Sequence, residues 1–444
     1  MARTDSDADA IVIGAGAAGL AAARSLAAHS LRVIVVEARD RVGGRVVSRS
    51  SQHSGVSAEL GAEFIHGQAP ETRALLREAG ISSVDTGDES WSCSGDGDLL
   101  RDERDLAMTA SIFEEARKLR QDETVDHFLR RFAHDGSMRE AAEMARVFVE
   151  GFDAADPSIA SVRSVADEVY SGVDFASARP DGGYGPMFNR LHEDCVRAGA
   201  QMSLSTEVRR ISWRRGLVSV ETRQASGETN TFRARAAIVT LPTGVLRNSG
   251  DDGSVAFDPD LPSGKSEAIR RIEMGHVVKV VLWFRTAFWE VLRGGRYRDS
   301  AFFRCMGQEF PTYWTQFPQR NGLIVAWVGG PKAIALRETT QTELIERALD
   351  GFGSMFGEVE LARREFEAGS MHDWSHDPFA RGAYSYVTVG ADDPRATLAA
   401  PVDDTLFFAG EATSNDGQGG TVNGALQTGE RAAREAATSL GVLR

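Results

Sequence analysis

A short apolar run at residues 10–13 is followed by Gly14, Ala15, Gly16, Ala17, Ala18 and Gly19, and then by an alanine-rich stretch to about His29. No other feature limits the fold as strongly. Gly14 permits a tight turn after a strand, Gly16 lets the backbone approach a pyrophosphate, and Gly19 lets a helix pack closely on that strand. Ala18 falls in the first turn of the helix, whose free N–H groups and dipole favour an anion. A second apolar run, residues 31–36, ends at Glu37, 18 residues past Gly19. A carboxylate there accepts hydrogen bonds from ribose hydroxyls and repels a 2′-phosphate. Strand, glycine turn, helix, strand and acid in this order predict a βαβ dinucleotide-binding unit and disfavour NADP. They do not choose between FAD and NAD.

The chain has 444 residues, which suggests two or three domains of about 150 residues each. Hydrophobic residues make up 42% and charged residues 26%, a globular mixture with enough apolar side chain for a large core. The formal net charge of −14 disfavours nucleic acid as a partner and weakly favours small cations. Cys93, Cys195 and Cys305 are odd in number, far apart and in no metal-binding spacing, so neither a disulfide framework nor a metal site is expected. The polar start, MARTDSDADA, does not read as a signal peptide, and no apolar stretch reaches the roughly 18 residues a membrane helix needs. The expectation is a cytoplasmic protein without a membrane partner.

Signals of a nucleotide-binding sheet sit at both ends of the chain. Residues 70–152 read as helical, with Thr124 as an N-cap before Val125, Phe128, Leu129 and Phe132. Residues 208–240 read as a small antiparallel meander that includes AIVTLP, and residues 276–284 and 322–328 read as strands. Helices are expected over 341–352 and 421–438, and a buried strand over 406–411. The fold class is therefore α/β: a Rossmann-like nucleotide-binding domain assembled from separated segments, with a second, α+β domain inserted. The expected division gives residues 1–80, 200–270 and 392–444 to the first domain, and 81–199 and 271–391 to the second.

The second strand continues as EARDRVGGR, placing Ala38, Arg39, Gly43, Gly44 and Arg45 beside the glycine turn. Two glycines bring backbone close to a cofactor, and Arg45 can neutralise diphosphate charge. At this point the chain resembles the FAD-dependent amine oxidases, the family of monoamine oxidases, polyamine oxidases and the lysine-specific histone demethylase. The resemblance continues in ELGAEFIHG (59–67), TLPTGVLR (240–247), WSHDPFARGAYSY (374–386), LFFAGEATS (406–414) and GGTVNGALQTGERAA (419–433). Residues 85–180 match poorly.

The resemblance makes the Rossmann-like domain an FAD-binding domain and the inserted α+β domain a substrate-binding domain, and it implies the following contacts. Gly61, Ala62, Glu63 and Phe64 run along the flavin. Val208 gives a backbone partner to adenine. Gly410 and Glu411 reach the ribitol or ribose side. Gly420, Thr421 and Val422 open a helix toward the pyrimidine end of the ring. It implies that Lys279 holds a water facing flavin N5, and that Trp374 and Tyr384 lie near the flavin and the amine. Of the two rings that flank the amine in monoamine oxidases, Tyr384 matches one and Thr421 replaces the other, a departure shared with polyamine-type members. Ala383 stands where members with covalent flavin carry cysteine, so the FAD is expected to be noncovalent. His66 matches a histidine at the pocket mouth of polyamine oxidases. From the residues alone, Lys279 reads equally well as an edge-strand guard, Trp374 and Tyr384 as core aromatics, and His66 as structural.

The reaction implied is oxidation of a C–N bond by hydride transfer to N5, giving an imine and then an aldehyde, with O2 reduced to H2O2. A polyamine-type substrate is favoured. The alternatives are an L-amino-acid oxidase, for which Arg304 and Arg381 are present without an assignable carboxylate clamp, an oxidase of a secondary-amine metabolite, or a flavin-binding interaction protein without turnover. A demethylase is disfavoured, because the chain starts almost at the first strand and no preceding reader domain is expected. Asp153, Asp156, Asp167 and Glu168 are expected to be solvated rather than to recognise a second ammonium.

Overall fold

The computed structural model describes residues 6–443 apart from 53, 94–98, 103–105, 137, 173–175, 251 and 391, with side chains left aside over 106–110. Five parallel strands carry the glycine turn, in the order Gln201–Ser203, Val33–Val36, Ala10–Ile13, Ala236–Val239 and Leu406–Phe408. The last four are buried along their whole length, as a parallel sheet covered on both faces requires. On one face, Ala10, Val12, Val33 and Val35 pack against the helices Ala17–Ala28, Gly185–Arg197 and Val422–Ser439. On the other, Ile11, Ile13, Ile34 and Val36 pack against an antiparallel meander of Thr206–Arg214, Leu217–Gln224 and Thr229–Ala234. The alternation of side chains along each strand thus feeds two separate cores.

The meander ends sooner than expected. Residues 236–239 leave it and pair in parallel with Ala10–Ile13. Their unbroken apolar run, Ala-Ala-Ile-Val, suits a strand buried on both faces and not a half-solvated hairpin. Between the strands Ala10–Ile13 and Ala236–Val239 the strand order reverses, with all strands still parallel. In open α/β sheets such a switch point opens a crevice beyond the carboxyl ends of the strands. Gly14 and Thr240 line it, and the Thr240 hydroxyl donates to Ile13 O at 2.7 Å.

A second sheet has the order Phe366–Ser370, Val277–Phe284, Leu323–Gly329, Thr312–Trp314, Phe302–Arg304, Ser90–Cys93 and Leu99–Arg101. Val278, Val280, Leu282 and Phe284 face the helix Gln341–Ser354 through Leu344, Ala348 and Phe352. The opposite parity, Val281 and Trp283, packs toward Ala58 and Leu60. Lys279 shares that second face, so strand periodicity alone aims it at the 58–64 segment. It is 3% exposed, which excludes the edge-guard reading.

Two further expectations change. The stretch 70–152 is not helical throughout: after the helix Pro70–Glu78, short strands occupy 83–85, 90–93 and 99–101. Residues 83–85 pair with Ala178–Pro180 and Ser90–Cys93 runs parallel to Phe302–Arg304, both across long separations that no local periodicity announces; only 99–101 pairs locally, with 91–93. Thr124 does cap Val125–Leu129, accepting the His127 N–H at 3.2 Å. The cysteines also differ from expectation. Cys93 and Cys305 each lie one residue past a paired position of the two parallel strands, and they form a disulfide with Cα atoms 4.9 Å apart. Cys195 is a buried free thiol. Among the described residues no helix is long and apolar enough to cross a membrane, and no cluster of His, Cys, Asp and Glu could hold a metal ion. Thiol counting checks the pairing. The denatured, unreduced chain should show one thiol and the reduced chain three; three thiols before reduction would contradict the bridge.

Candidate active site

One cavity of about 1120 Å³ runs from the glycine turn to the wall made by the helical segments. At its nucleotide end Gly14 holds φ +101°, and a Cβ on it would lie 2.6 Å from the Thr240 hydroxyl. Gly19 does not line the cavity; a Cβ there would meet Gly14 O at 1.9 Å, so its role is the close packing of helix on turn. Gly16 is the N-cap of Ala17–Ala28, and no side chain caps that end. Its open N–H groups therefore face the cavity beside Ala18, as anion binding requires. Glu37, 4% exposed, accepts from Ala15 N–H at 2.7 Å and Arg39 N–H at 2.9 Å, which fixes the carboxylate at the turn with lone pairs to spare. Ala38, Gly43 and Gly44 line the same end, and a Cβ on Gly44 would come 3.3 Å from the Gly16 Cα. At Val208 the strand pairing shifts register beside the cavity. The uncapped helix end, the anchored acid and the bare backbone walls fit an FAD diphosphate and ribose.

The arginines of the EARDRVGGR segment have partners of their own. Arg41 donates to the carbonyls of Val42, Gly44 and Val46 and ties the loop together. Arg39 bonds Asp377 at 2.7 Å and covers the Phe379 ring. Arg45 donates to Ala383 O at 2.6 Å and to Glu411 at 2.9 Å. Glu411 also accepts from the Ser385 hydroxyl at 2.6 Å and Gly420 N–H at 3.1 Å. Burial disfavours its charge, but Arg45 and Arg395 outweigh that and hold its carboxyl below the usual range. The charge of Arg45, expected for the diphosphate, is thus shared with Glu411. Gly410, Thr421 and Val422 line the cavity, with Thr421 capping the helix Val422–Ser439 through Gly424 N–H.

Lys279 and Trp374 meet on the Gly61 turn. Lys279 Nζ donates to Gly61 O at 3.0 Å and Glu63 Oε2 at 2.7 Å. Trp374 Nε1 donates to Leu60 O at 2.9 Å, and a Cβ on Gly61 would strike Arg45 O at 1.9 Å and the indole at 3.0 Å. Only glycine fits between these walls. His372 packs against Trp374 with ring centroids 4.0 Å apart and planes inclined by 50°, and Asp377 holds His372 at 2.7 Å. Glu63 accepts from Arg179 at 2.7 Å and Trp314 at 3.0 Å as well as from Lys279. Burial opposes ionisation of Glu63, yet the two cations draw its pKa down to about 2. Removing one member of such a buried set costs on the order of 3–5 kcal/mol. Phe64 lines the cavity, with Arg179 over its ring and Trp314 packed beside it.

Tyr384 lines the cavity against Gly420, and its hydroxyl donates to Phe152 O. Burial, then the charges of Asp153 and Glu168, push the phenol well above its ordinary value, so it stays neutral. His66 bonds the Ser177 hydroxyl at 3.1 Å and meets Phe152 edge-on. Burial lowers it to about 4, which leaves a neutral imidazole at physiological pH.

Two of the four acids expected to be solvated are not. Asp153 is 7% exposed, and its Oδ2 has no hydrogen-bond partner among the described residues. Glu168 lines the cavity with it. Burial raises both carboxyls; Glu168 reaches about 7, and its charge also raises Asp153, while Arg395 opposes both shifts. Asp167 is exposed, and Asp156 accepts from Ser158. Arg179 was missed altogether, since it lies in the stretch of weakest resemblance and only the fold brings it to Glu63.

A model of the flavin-containing amine oxidoreductases matches residues 17–437. Among curated relatives, lysine-specific histone demethylase 1 homolog 2 of Oryza sativa subsp. japonica is 29% identical over 454 residues, 96% of this chain and 56% of that protein. Polyamine oxidase 2 of Arabidopsis thaliana is 29% identical over 459 residues, covering 96% of this chain and 87% of that protein. The chain thus spans about half the length of the demethylase homologues it matches. Among solved structures, cyclohexylamine oxidase from Brevibacterium oxydans superposes with a TM-score of 0.81 at 22% identity, over 98% of this chain and 100% of that one. A putrescine oxidase redesigned in its cofactor binding gives 0.80 at 21%, over 97% and 99%. With the fold, the cleft and a family match over nearly the whole length in agreement, the chain belongs to the flavin-containing amine oxidoreductases.

Proposed function

We propose that this protein is an FAD-dependent oxidase of a small amine, and that its substrate is a polyamine-type cation carrying a second ammonium. The observation that carries this reading is the acidic pair Asp153 and Glu168, which shares one cavity with Lys279, Trp374 and Tyr384. Thr421 stands where a second ring would complete an aromatic cage, so ring faces alone offer the cation little. A buried carboxylate with an unpartnered oxygen offers much more. The expected division of the chain belongs to the same proposal. Every strand of the parallel sheet falls within residues 1–80, 200–270 and 392–444, and the lysine strand falls within 271–391.

FAD, when bound, supplies the two-electron acceptor. The chain's own residues hold and discharge the amine. An aliphatic amine is mostly protonated at neutral pH, with a pKa of about 10, and it must lose that proton before oxidation. Of Glu168 and His66, Glu168, raised to about 7 by burial, is the stronger proton acceptor, whereas His66, lowered to about 4 by burial, offers a neutral ring that can accept a hydrogen bond. Tyr384, kept as a phenol, shapes the wall. Lys279 is held by Glu63 and Gly61 O and acts as a fixed cation, not as the base. Arg304 lines the cavity and Arg381 does not. Arg304 pairs with Asp102 at 3.6 Å, which leaves an amino-acid carboxylate no dedicated clamp.

A peroxide assay over putrescine, spermidine, spermine, their acetylated forms, aryl amines and L-amino acids tests the reading. The highest kcat/KM should fall among amines with two nitrogens; turnover of L-amino acids alone would overturn it. Replacing Asp153 by Asn should raise KM for a diamine about tenfold, about 1.4 kcal/mol, and change KM for a monoamine of similar length far less. Equal losses on both would remove the subsite. The pH dependence has a definite sign. Glu168 gives up its proton through about 7, and the anion attracts the cation, so diamine KM should fall as pH rises through that range. Glu168→Gln should flatten this limb, whereas a His66 variant should leave it in place.

A further inference from the structure

Glu63 is more than one contact among many. Its carboxylate is fully buried, and it stands between strands from three parts of the chain. Oε2 takes Lys279 Nζ at 2.7 Å, and Oε1 takes Arg179 Nε at 2.7 Å and Trp314 Nε1 at 3.0 Å. Lys279 has one further acceptor, Gly61 O, and Arg179 has Thr315 O at 3.1 Å. Arg179 is 6% exposed and Lys279 3%. Two buried cations therefore meet on a single anion. A second buried carboxylate, Glu59, takes the Ser48 hydroxyl at 2.8 Å and Tyr184 N–H at 2.7 Å and bonds neither cation; the Lys279 charge reaches it, but burial outweighs that attraction and raises its carboxyl, so the charge count runs over the three bonded groups. Buried charges are weakly screened, so an uncompensated one acts at a distance.

We infer that Glu63 is a positioning residue for Lys279: shared with Arg179, it pins the ammonium to the Gly61 turn and leaves the cavity floor with one surplus positive charge. This rests on the reading that FAD occupies the cavity. Two-electron reduction adds negative charge to the cofactor, and a surplus cation beside it favours the reduced form. Glu63 then sets the size of that surplus, since without it two cations would act, and without Arg179 none would remain in excess. The single lysine motif is in this way only part of the electrostatic device. A carboxylate beside it and an arginine from a distant strand set its strength.

The test is a charge ladder read by the two-electron reduction potential of the bound flavin, measured by equilibration with a reference dye in the absence of amine. Glu63→Gln should raise the reduction equilibrium constant about tenfold, about 30 mV for a two-electron couple. Arg179→Met and Lys279→Met should each lower it about tenfold. The double variant Glu63→Gln with Arg179→Met restores one surplus charge and should return to within about threefold of the parent, which no purely structural role predicts. Glu63→Asp should stay close to the parent. Potentials that do not follow the charge count overturn the inference. If Glu63→Gln does not fold, the Arg179→Met arm decides alone: an unchanged potential sinks the inference. Parent protein that binds no flavin would instead overturn the functional reading on which the inference rests.

Discussion

The carboxylate of Glu63 joins parts of the chain that nothing else brings to one point. The segment after residue 59, the strand that carries Lys279, the strand that carries Arg179 and the tryptophan of Thr312–Trp314 all converge on it. Hydrophobic packing accounts for the layers but not for this register. A slip of one residue in Val277–Phe284 would turn Lys279 into the apolar face packed on Gln341–Ser354. There an ammonium would have no partner. The buried ion cluster therefore fixes which way the strand Val277–Phe284 faces, and with it the floor of the cavity.

Much of this was legible in the sequence because its cause is local. The glycine turn, the helix that follows and Glu37 are covalent neighbours, and their constraints are steric. The same holds for the Thr124 cap and for Thr421 at the start of the last helix. Lys279 was visible as a charge inside an apolar strand, but its direction was not, since only the second sheet decides which parity faces the Gly61 turn. What stayed hidden depends on pairing across long separations. Residues 90–93 have little strand character until Phe302–Arg304 lies beside them, and the same pairing brings Cys93 to Cys305. Residues 236–239 looked like one more hairpin strand, although their lack of polar alternation was a signal for the parallel sheet.

Charge was the hardest property to read. Asp153 and Glu168 lie 15 positions apart in a stretch with ordinary acidic content, and surface exposure was the natural expectation. The fold instead turns both into a cavity where, among the described residues, Arg395 is the cation that offsets them. Conversely, Arg45 read as a neutraliser of diphosphate charge, and it also has partners within the protein. Arg41 closes its own loop and Arg45 binds Glu411. Arginine forks satisfy several acceptors at once, so a basic segment beside a nucleotide site can be architecture as readily as recognition.

Asp377 gives one such architectural bond a wider meaning. Its carboxylate takes Arg39, from the loop at the mouth of the second strand, and His372, whose ring meets Trp374 at a tilt. The nucleotide cradle and the indole beside Gly61 are therefore fastened by a common rivet. Arg39 and His372 thus share one anion, so a displacement of the loop that carries Arg39 would be felt at the indole beside Gly61.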